Sequence, residues 1–421
     1  MPHKPLVTNE PDIDHVESDF GDPESIDFIL KLGRALHQYG SAAHRLEDVV
    51  DHVSVKLGLD AQVFSQPTSL FAAFGQLGTQ RTFMLRVSPG EVNLGKLSDV
   101  DDVVRDVLHG RITPAEGSVK LDVIREAIWR YSSAANVLSF GVISGASSLL
   151  LGGGEKELVV SIVIGLINGL LSLVAERSKR FARVFSAVAA LVAAVIATLA
   201  TQVFGGYSVP TTTLAGVIAL LPGFSLTVAL AELSTQHLSS GTARLSGAFV
   251  SFLELIFGVA LGTAIVTAAL DLDKVPLARP QSLPRWLQLI PLVIMPLALT
   301  VRLRAHQRDA IWILIAGGLA IVGSRFGSYL LEPQLGVFIG ALIVGVASNI
   351  FARTFNRPSV TTWVPGLMML VPGSVGFRSF TSLLGNEVVV GVETAFKMIL
   401  TAVALVAGTF IANVIMPPRK L

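Results

Sequence analysis

Two Pro-Gly pairs in the apolar part of the chain could supply backbone groups that bind a small zwitterion. The segments TTTLAGVIALLPG, ending at Gly223, and TTWVPGLMMLVPG, ending at Gly373, lie 150 residues apart. Proline has no N–H group and clashes with the carbonyl four residues earlier, so each pair predicts a membrane helix broken into two halves. Amides at the start of the second halves could bind a carboxylate, and carbonyls ending the first halves could meet an ammonium group or cation.

These predicted breaks define the candidate substrate ligands. The second half-helices offer backbone amides, and threonines at the start of each segment and two asparagines in nearby spans offer side-chain groups. Two alternatives stay open: a Pro-Gly pair can be a structural kink that neighbouring hydroxyls satisfy, and the threonines and asparagines can line vestibules, cap helices or join them. The predicted substrate-binding set is Pro222, Gly223, Phe224, Ser225, Pro372, Gly373, Ser374, Thr212, Thr362, Asn168 and Asn349.

One carboxylate within a predicted span could carry a proton. Glu254 lies about ten residues into its span, where an ionised carboxylate is costly unless it faces a cavity or a partner. Burial would favour the protonated form, which suits a proton carrier. A static pair with Arg325 or a permanently protonated acid are the alternatives. Glu232, Arg325 and Arg378 are weaker candidates, because each could lie near an interface and extend its charge into water.

A helix before the membrane part carries polar residues on one face. His44, Glu47, Asp48 and Asp51, with Arg45 beside them, are separated by spacings that could bind a metal or support acid–base chemistry. A solvated face of an amphipathic helix, or a docking face, predicts the same pattern. No Ser-His-Asp or Cys-His set with a recognisable nucleophile elbow is present there. We therefore predict no catalytic residues, no metal site, no cofactor and no enzymatic activity.

The composition is that of a membrane protein. Hydrophobic residues make up 51% of the chain and charged residues 15%, and the mean hydropathy is +0.64. Apolar runs near the bilayer length begin only after about residue 134. The chain contains no cysteine, which excludes disulfides, thiol nucleophiles and thiolate metal sites. The lipid bilayer is thus a predicted partner, and nucleic acid is not.

The first third of the chain predicts a soluble region. Residues 1–24 have a net charge of −6 and are expected to form a disordered acidic tail, without a cleavable signal peptide and on the cytoplasmic side. Residues 25–131 predict a small α+β cytoplasmic domain. Two amphipathic helices should lead into a hairpin with strands near 62–74 and 82–87, where Pro67 suggests an edge or a bulge. Two helices near 96–109 and 114–131 should follow, the last along the membrane surface.

Ten apolar segments predict an α-helical membrane protein of two five-helix repeats, covering residues 132–271 and 286–418. Shifting the first five segments by 150 residues places each within a few positions of a later one. Because five is odd, the second repeat should enter the bilayer from the opposite side, so that the repeats are inverted. The predicted spans are about 135–151, 157–175, 185–203, 210–231, 245–270, 286–301, 310–329, 335–352, 361–383 and 388–416.

The distribution of positive charge predicts the orientation. With both termini cytoplasmic, twelve Lys and Arg residues fall in cytoplasmic loops and four on the opposite side, as the positive-inside rule requires. This predicts a multi-pass protein of the cell (inner) membrane. The glycine pairs Gly165/Gly169, Gly258/Gly262 and Gly336/Gly340 permit close helix packing within or between chains, so a homo-oligomer is possible.

Several segments resemble the threonine/serine exporter family. The resemblance lies in YGSAAHRLED from Tyr39 to Asp48, in the QPTSLFAAF strand, in VNLGKL from Val92 to Leu97, and in the five-plus-five spans with TTWVPGLMMLVPG. It implies proton-driven export of small hydroxy amino acids, with a soluble domain that has been likened to hydrolases. The family's usual signature favours a small or hydroxyl residue just before the arginine, whereas this chain has His44.

Residues and resemblance together favour a secondary transporter that exports threonine and serine, with protons as the coupled partner. The alternatives are a membrane-tethered, hydrolase-like enzyme and a channel for small polar solutes. The predicted mid-span breaks and the repeat favour the transporter over the channel.

Overall fold

A computed structural model describes residues 21–76, 78–88, 90–128, 130–270, 283–371, 373–384 and 387–418, so Pro372 and the predicted tail up to residue 20 lie outside the described residues. The chain divides into two compact units. The small unit contains residues up to 91 and 99–127, and the large unit contains 92–98 and residues from 128 onward.

The small unit combines helices with a three-stranded sheet. Asp22 caps the first helix by accepting the Ser25 N–H at 3.0 Å, and Thr113 and Glu116 form a capping box at the last one. Its core contains fully buried Phe28, Leu46 and Phe74, among others. The elements are α1 (Pro23–Gln38), α2 (Ala43–Lys56), β1 (Ala61–Gln66), β2 (Ser69–Phe74), β3 (Arg81–Arg86), α3 (Leu94–Leu108, which begins in the large unit) and α4 (Pro114–Glu126).

Two predictions for this region are wrong. The single strand over 62–74 is two antiparallel strands, because Gln66 pairs with Ser69 and the two residues between them, Pro67 and Thr68, form a tight turn. The sheet is therefore a β1-β2-β3 meander rather than one hairpin. The last helix ends at Glu126 instead of residue 131, since Ala127 is extended, with φ −56° and ψ 131°, and Ile128 beyond it is 90% exposed.

The large unit consists of helices. The first half contains α5 (Ser133–Leu150), α6 (Glu155–Arg177), the short α7 (Lys179–Ala182), α8 (Phe185–Phe204), α9 (Val209–Val217), α10 (Gly223–Ser234) and α11 (Leu238–Ala269). The second half contains α12 (Ile290–Arg302), α13 (Ala310–Leu330), α14 (Pro333–Phe355), α15 (Val360–Met368), α16 (Gly373–Leu384) and α17 (Val388–Ile415).

Within the described ranges, eight helical segments are long and apolar enough to cross a membrane. The number is nine if the bent pair Val209–Leu220 and Gly223–Ser234 forms one span, and Trp286–Arg302 is a shorter apolar helix. The protein is therefore a mostly helical, multi-pass membrane protein, while ten spans stay a prediction.

The two halves pack their last long helices in the same way. Gly258 of α11 lies against α8, where an added Cβ would be 2.2 Å from the Ala187 oxygen. Gly408, which is 150 residues later, lies against α14, where an added Cβ would be 2.5 Å from the Phe338 oxygen. The predicted glycine pairs at 165/169, 258/262 and 336/340 all contact helices of their own chain, so they carry no argument for a homo-oligomer.

Within the large unit, the VNLGKL segment contacts the loop between α12 and α13. The Leu94 N–H donates to the Leu303 oxygen at 2.9 Å, and the Tyr131 hydroxyl donates to the Ala305 oxygen at 2.8 Å. Gly95 packs directly on this loop, since an added Cβ would be 2.5 Å from the Arg304 oxygen. Residues 92–98 thus pack as part of the large unit.

Candidate functional site

The first Pro-Gly pair breaks its helix, as the sequence predicts. After α9 the chain makes a 3-10 turn over Ile218–Leu220, Leu221 is extended, and α10 continues at an angle of 55°. The helix begins at Gly223, so Pro222 is the N-cap rather than the first helical residue. The Ile218 carbonyl, which the proline was expected to deprive of a partner, accepts the Leu221 N–H at 3.2 Å because the tighter turn moves that donor into reach.

The break leaves backbone donors at the start of α10. The first bond of this helix is from the Leu226 N–H to the Pro222 oxygen, at 3.0 Å. The amides of Gly223, Phe224 and Ser225 precede it and donate to no described residue. Helix α16 begins at Gly373, and the amides at its first three positions likewise lack a described acceptor. Both N-termini thus have the donors and the positive dipole end that attract an anion.

The two breaks touch each other. A Cβ added to Gly223 would be 2.2 Å from Val371 Cγ1 and 2.9 Å from the nitrogen and Cα of Gly373. A Cβ added to Gly373 would be 3.2 Å from the Leu221 Cβ and 3.6 Å from the Gly223 Cα. The contact is reciprocal, because 221 meets 373 and 371 meets 223. The corresponding residues of the two segments, 221 with 371 and 223 with 373, thus exchange equivalent contacts.

An aromatic pair lies beside the breaks. Phe224 meets the Trp363 ring edge to face, with centroids 6.5 Å apart. The Trp363 indole nitrogen is buried without a described acceptor. Trp363 was not among the predicted ligands. The signal available in the sequence was that the first segment has Thr213 at the corresponding position, so that only the second segment has an aromatic residue there.

Asn168 of α6 binds the first half of the broken helix. Its Nδ2 donates to the Gly216 oxygen at 3.1 Å, and the Ser144 hydroxyl donates to the same oxygen at 3.4 Å. The Asn168 side chain is fully buried, and its Oδ1 has no described hydrogen-bond donor. This side chain therefore lies against the broken helix, where the sequence placed it as a candidate.

Three other predicted ligands form hydrogen bonds to residues of the chain itself. The Thr212 hydroxyl donates to the Ser208 oxygen at 3.0 Å, and the Thr362 hydroxyl donates to the Ser359 oxygen at 3.3 Å, so both bond to the preceding helical turn. Asn349 joins α14 to the end of α17, where its Nδ2 donates to Asn413 at 2.9 Å and to the Met416 oxygen at 2.7 Å. These bonds agree with the alternative in which the threonines cap helices and the asparagine joins two helices.

The charged candidates have different environments. Glu254 is half-buried on α11 and forms no bond with a described residue, including Arg325, so the alternative of a static pair with Arg325 is not observed. Arg325 and Arg378 are exposed. Glu232 is fully buried instead of reaching an interface, because Arg244 of the next helix binds both carboxylate oxygens at 3.0 Å.

Two buried carboxylates that were not among the predicted site residues contact the chain just before each broken helix. Glu157, 2% exposed near the start of α6, accepts the Gly154 N–H at 2.9 Å and the Ser208 N–H at 2.7 Å. Asp309, 1% exposed at the start of α13, binds Arg357. The spacing between Glu157 and Asp309 differs by two residues from the 150-residue offset of the repeat. This near-equivalence was the signal in the sequence that could have identified them.

The polar face of α2 is partly structural. The Glu47 carboxylate accepts the Ser65 N–H of β1 at 2.7 Å. Burial lowers the pKa of the Arg45 guanidinium, while the charges of Asp101 and Asp48 favour its ionised form. Among the described residues, His44 and its neighbours belong to no group of three side chains that could hold a metal ion.

Comparison with known proteins identifies the family. A family model described as a threonine/serine exporter matches residues 27–266, and a second model with that description matches residues 288–415. The chain belongs to the threonine/serine exporter family.

Relatives of this exporter family member include fungal membrane proteins. Pheromone-regulated membrane protein 10 of Eremothecium gossypii is 27% identical over 359 residues, which cover 84% of this chain and 48% of that protein. The protein of the same name from Saccharomyces cerevisiae is 25% identical over 375 residues, covering 85% of this chain and 47% of the relative. The chain thus spans about half the length of these relatives. No solved structure matches the chain.

Proposed function

We propose that the protein is a secondary transporter that exports threonine, serine and similar small hydroxy amino acids across the cell membrane, driven by the proton gradient. The observation that carries the proposal is the contact between the two Pro-Gly breaks, each with amides that have no described acceptor, in a member of the exporter family. Unwound backbone in lipid requires satisfaction by protein, water or substrate, and transporters use such breaks as binding sites.

The breaks can hold a zwitterion with backbone groups alone. The substrate carboxylate would bind amides at the start of α10 and α16, where both helix dipoles favour negative charge. The ammonium group would face carbonyls at the ends of the preceding half-helices. The main-chain groups shared by all amino acids would therefore be bound where the two halves meet.

The proposed topology has ten spans in two inverted repeats, with both termini cytoplasmic. Trp286–Arg302 would be the sixth span, equivalent to α5. Two reciprocal contacts, of residue 221 with 373 and of residue 223 with 371, support a two-fold relation between the halves. Five spans in each half would make the repeats inverted, and the arginine and lysine distribution supports the orientation.

The transport activity can be tested directly. Purified protein in proteoliposomes loaded with labelled threonine or serine should release the label faster with an imposed pH gradient than without one. Protein-free vesicles provide the background leak. Gradient-independent release of both amino acids would contradict proton coupling, and no movement of either would overturn the proposed function.

We propose Glu254 as the proton carrier, since it is half-buried in a long apolar helix without a described partner. Glu254→Gln should retain binding but lose gradient-driven flux, because an amide cannot release a proton. Exchange of labelled for unlabelled serine without a gradient should continue. The matched control is Glu393→Gln on α17, where the carboxylate is exposed and paired with Lys397 at 2.5 Å. Full driven flux in Glu254→Gln would remove Glu254 from the mechanism.

A further inference from the structure

We propose that the side-chain oxygen of Asn168 binds the hydroxyl group of the transported amino acid and so distinguishes serine and threonine from amino acids without a hydroxyl. The inference rests on the proposed transport function and adds a group that reads the substrate side chain. Backbone amides and carbonyls at the breaks would bind only what all amino acids share.

The orientation of the Asn168 amide follows from its partner. The Gly216 oxygen can only accept, so the NH2 group must face it, at a distance of 3.1 Å. Oδ1 therefore points away from that carbonyl and requires a donor of its own. No described residue supplies one, although the side chain is fully buried. Buried amide oxygens in native proteins are nearly always hydrogen-bonded, so an orphan acceptor of this kind calls for an external donor.

A neutral hydroxyl suits this acceptor. The ammonium group would be bound by several carbonyl dipoles where the helices end, and the carboxylate by the helix N-termini. The donor left over in a hydroxy amino acid is its side-chain O–H, and a neutral amide oxygen matches it without a charge to compensate.

The placement of Asn168 in only one half also fits a specificity role. The Pro-Gly breaks occur in both halves, but the residue 150 positions after Asn168 is Gly318, whose missing side chain leaves open space. Two related copies can share the binding of a carboxylate, whereas one hydroxyl on a chiral substrate needs one acceptor.

The distance along the broken helix is compatible with a small ligand. Gly216 precedes Pro222 by six residues, which corresponds to roughly 10 Å at the rise of an α-helix ending in a 3-10 turn. A small amino acid with a hydrogen bond at each end can extend over such a distance. The Ser144 hydroxyl, which also donates to the Gly216 oxygen, helps to fix the carbonyl that orients the amide.

The test is a substrate ratio in proteoliposomes. Initial rates of exchange are measured for two pairs of amino acids, serine with alanine and threonine with 2-aminobutyrate. The members of each pair differ mainly by the hydroxyl group. Asn168→Ala should reduce the preference for the hydroxy amino acid by about tenfold or more, because a site that loses its partner for a substrate O–H loses its discrimination. Asn349→Ala is the matched control, since this asparagine is also buried but bonds to Asn413 and Met416.

The ratio makes the test robust to partial loss of active protein, because both substrates are measured in the same vesicles. If Asn168→Ala fails to reconstitute, Asn168→Gln takes its place. This variant keeps an amide but displaces it by one methylene, and it should shift the ratio in the same direction. Wild-type ratios in an active Asn168 variant would overturn the inference while leaving the transport function intact. Absence of serine and threonine transport in the wild-type protein would overturn both.

Discussion

Replacing Gly223 by leucine is expected to abolish transport while leaving the protein inserted in the membrane. An added Cβ would be 2.2 Å from Val371 Cγ1 and 2.9 Å from the backbone of Gly373, so the two breaks must separate. Overpacking of this kind typically costs about 1–3 kcal/mol and here acts on the proposed binding groups themselves. Even Gly223→Ala should reduce flux strongly. Gly373→Ala should be milder, because its Cβ would meet Leu221 Cβ at 3.2 Å.

The control for this series is Gly247→Leu in α11, where an added Cβ meets nothing within 4 Å. Exchange of labelled serine in proteoliposomes gives the activity, and the amount of monodisperse protein extracted from membranes gives the insertion. Normal exchange in Gly223→Leu would show that the contact between the breaks has no part in transport.

Breaking the Glu232–Arg244 ion pair should strongly lower the free energy of unfolding of the protein. Arg244 binds both oxygens of a fully buried carboxylate at 3.0 Å, and the pair links α10 to α11. Removing Arg244 takes two hydrogen bonds and a positive charge from a fully buried carboxylate, and breaking a buried ion pair in this way costs about 3–5 kcal/mol. Arg244→Ala should therefore lower the midpoint of thermal unfolding in detergent by many degrees, and more than Glu232→Gln, which retains hydrogen bonding.

The double variant Glu232→Arg with Arg244→Glu tests whether the pairing itself is responsible, since it should recover part of the stability that each single reversal loses. The control is Lys397→Ala, which breaks the exposed Glu393–Lys397 pair of α17 and should change the midpoint little. Equal midpoints for Arg244→Ala and the wild-type protein would contradict the assignment.

The breaks were predictable because proline acts locally: its missing N–H and its ring perturb the helix that contains it, whatever the surroundings. The partner of the Ile218 carbonyl was not predicted, because a 3-10 turn depends on small dihedral changes that composition does not reveal. Pro67 was misread for a related reason, since proline is equally compatible with a strand edge and with a turn.

The burial of the carboxylates was harder to predict. Glu232 was expected near an interface because the sequence gives no indication that Arg244, twelve residues later, returns across the turn at residues 235–237. Glu157 and Ser208 are separated by 51 residues, and Asp309 and Arg357 by 48, so these contacts depend on the packing of whole helices. The orphan oxygen of Asn168 could not be inferred either, since only its neighbours decide which amide atom is satisfied.

The reciprocal contact between the breaks also determines how their free energies combine. Leu221 and Gly223 in one half face Gly373 and Val371 in the other, so neither segment can shift without changing the packing of its counterpart. Changes at directly contacting residues are generally non-additive. The two breaks should therefore act as a single cooperative unit, in which rearrangement of one half carries a coupling energy to the other without any intervening chain of residues.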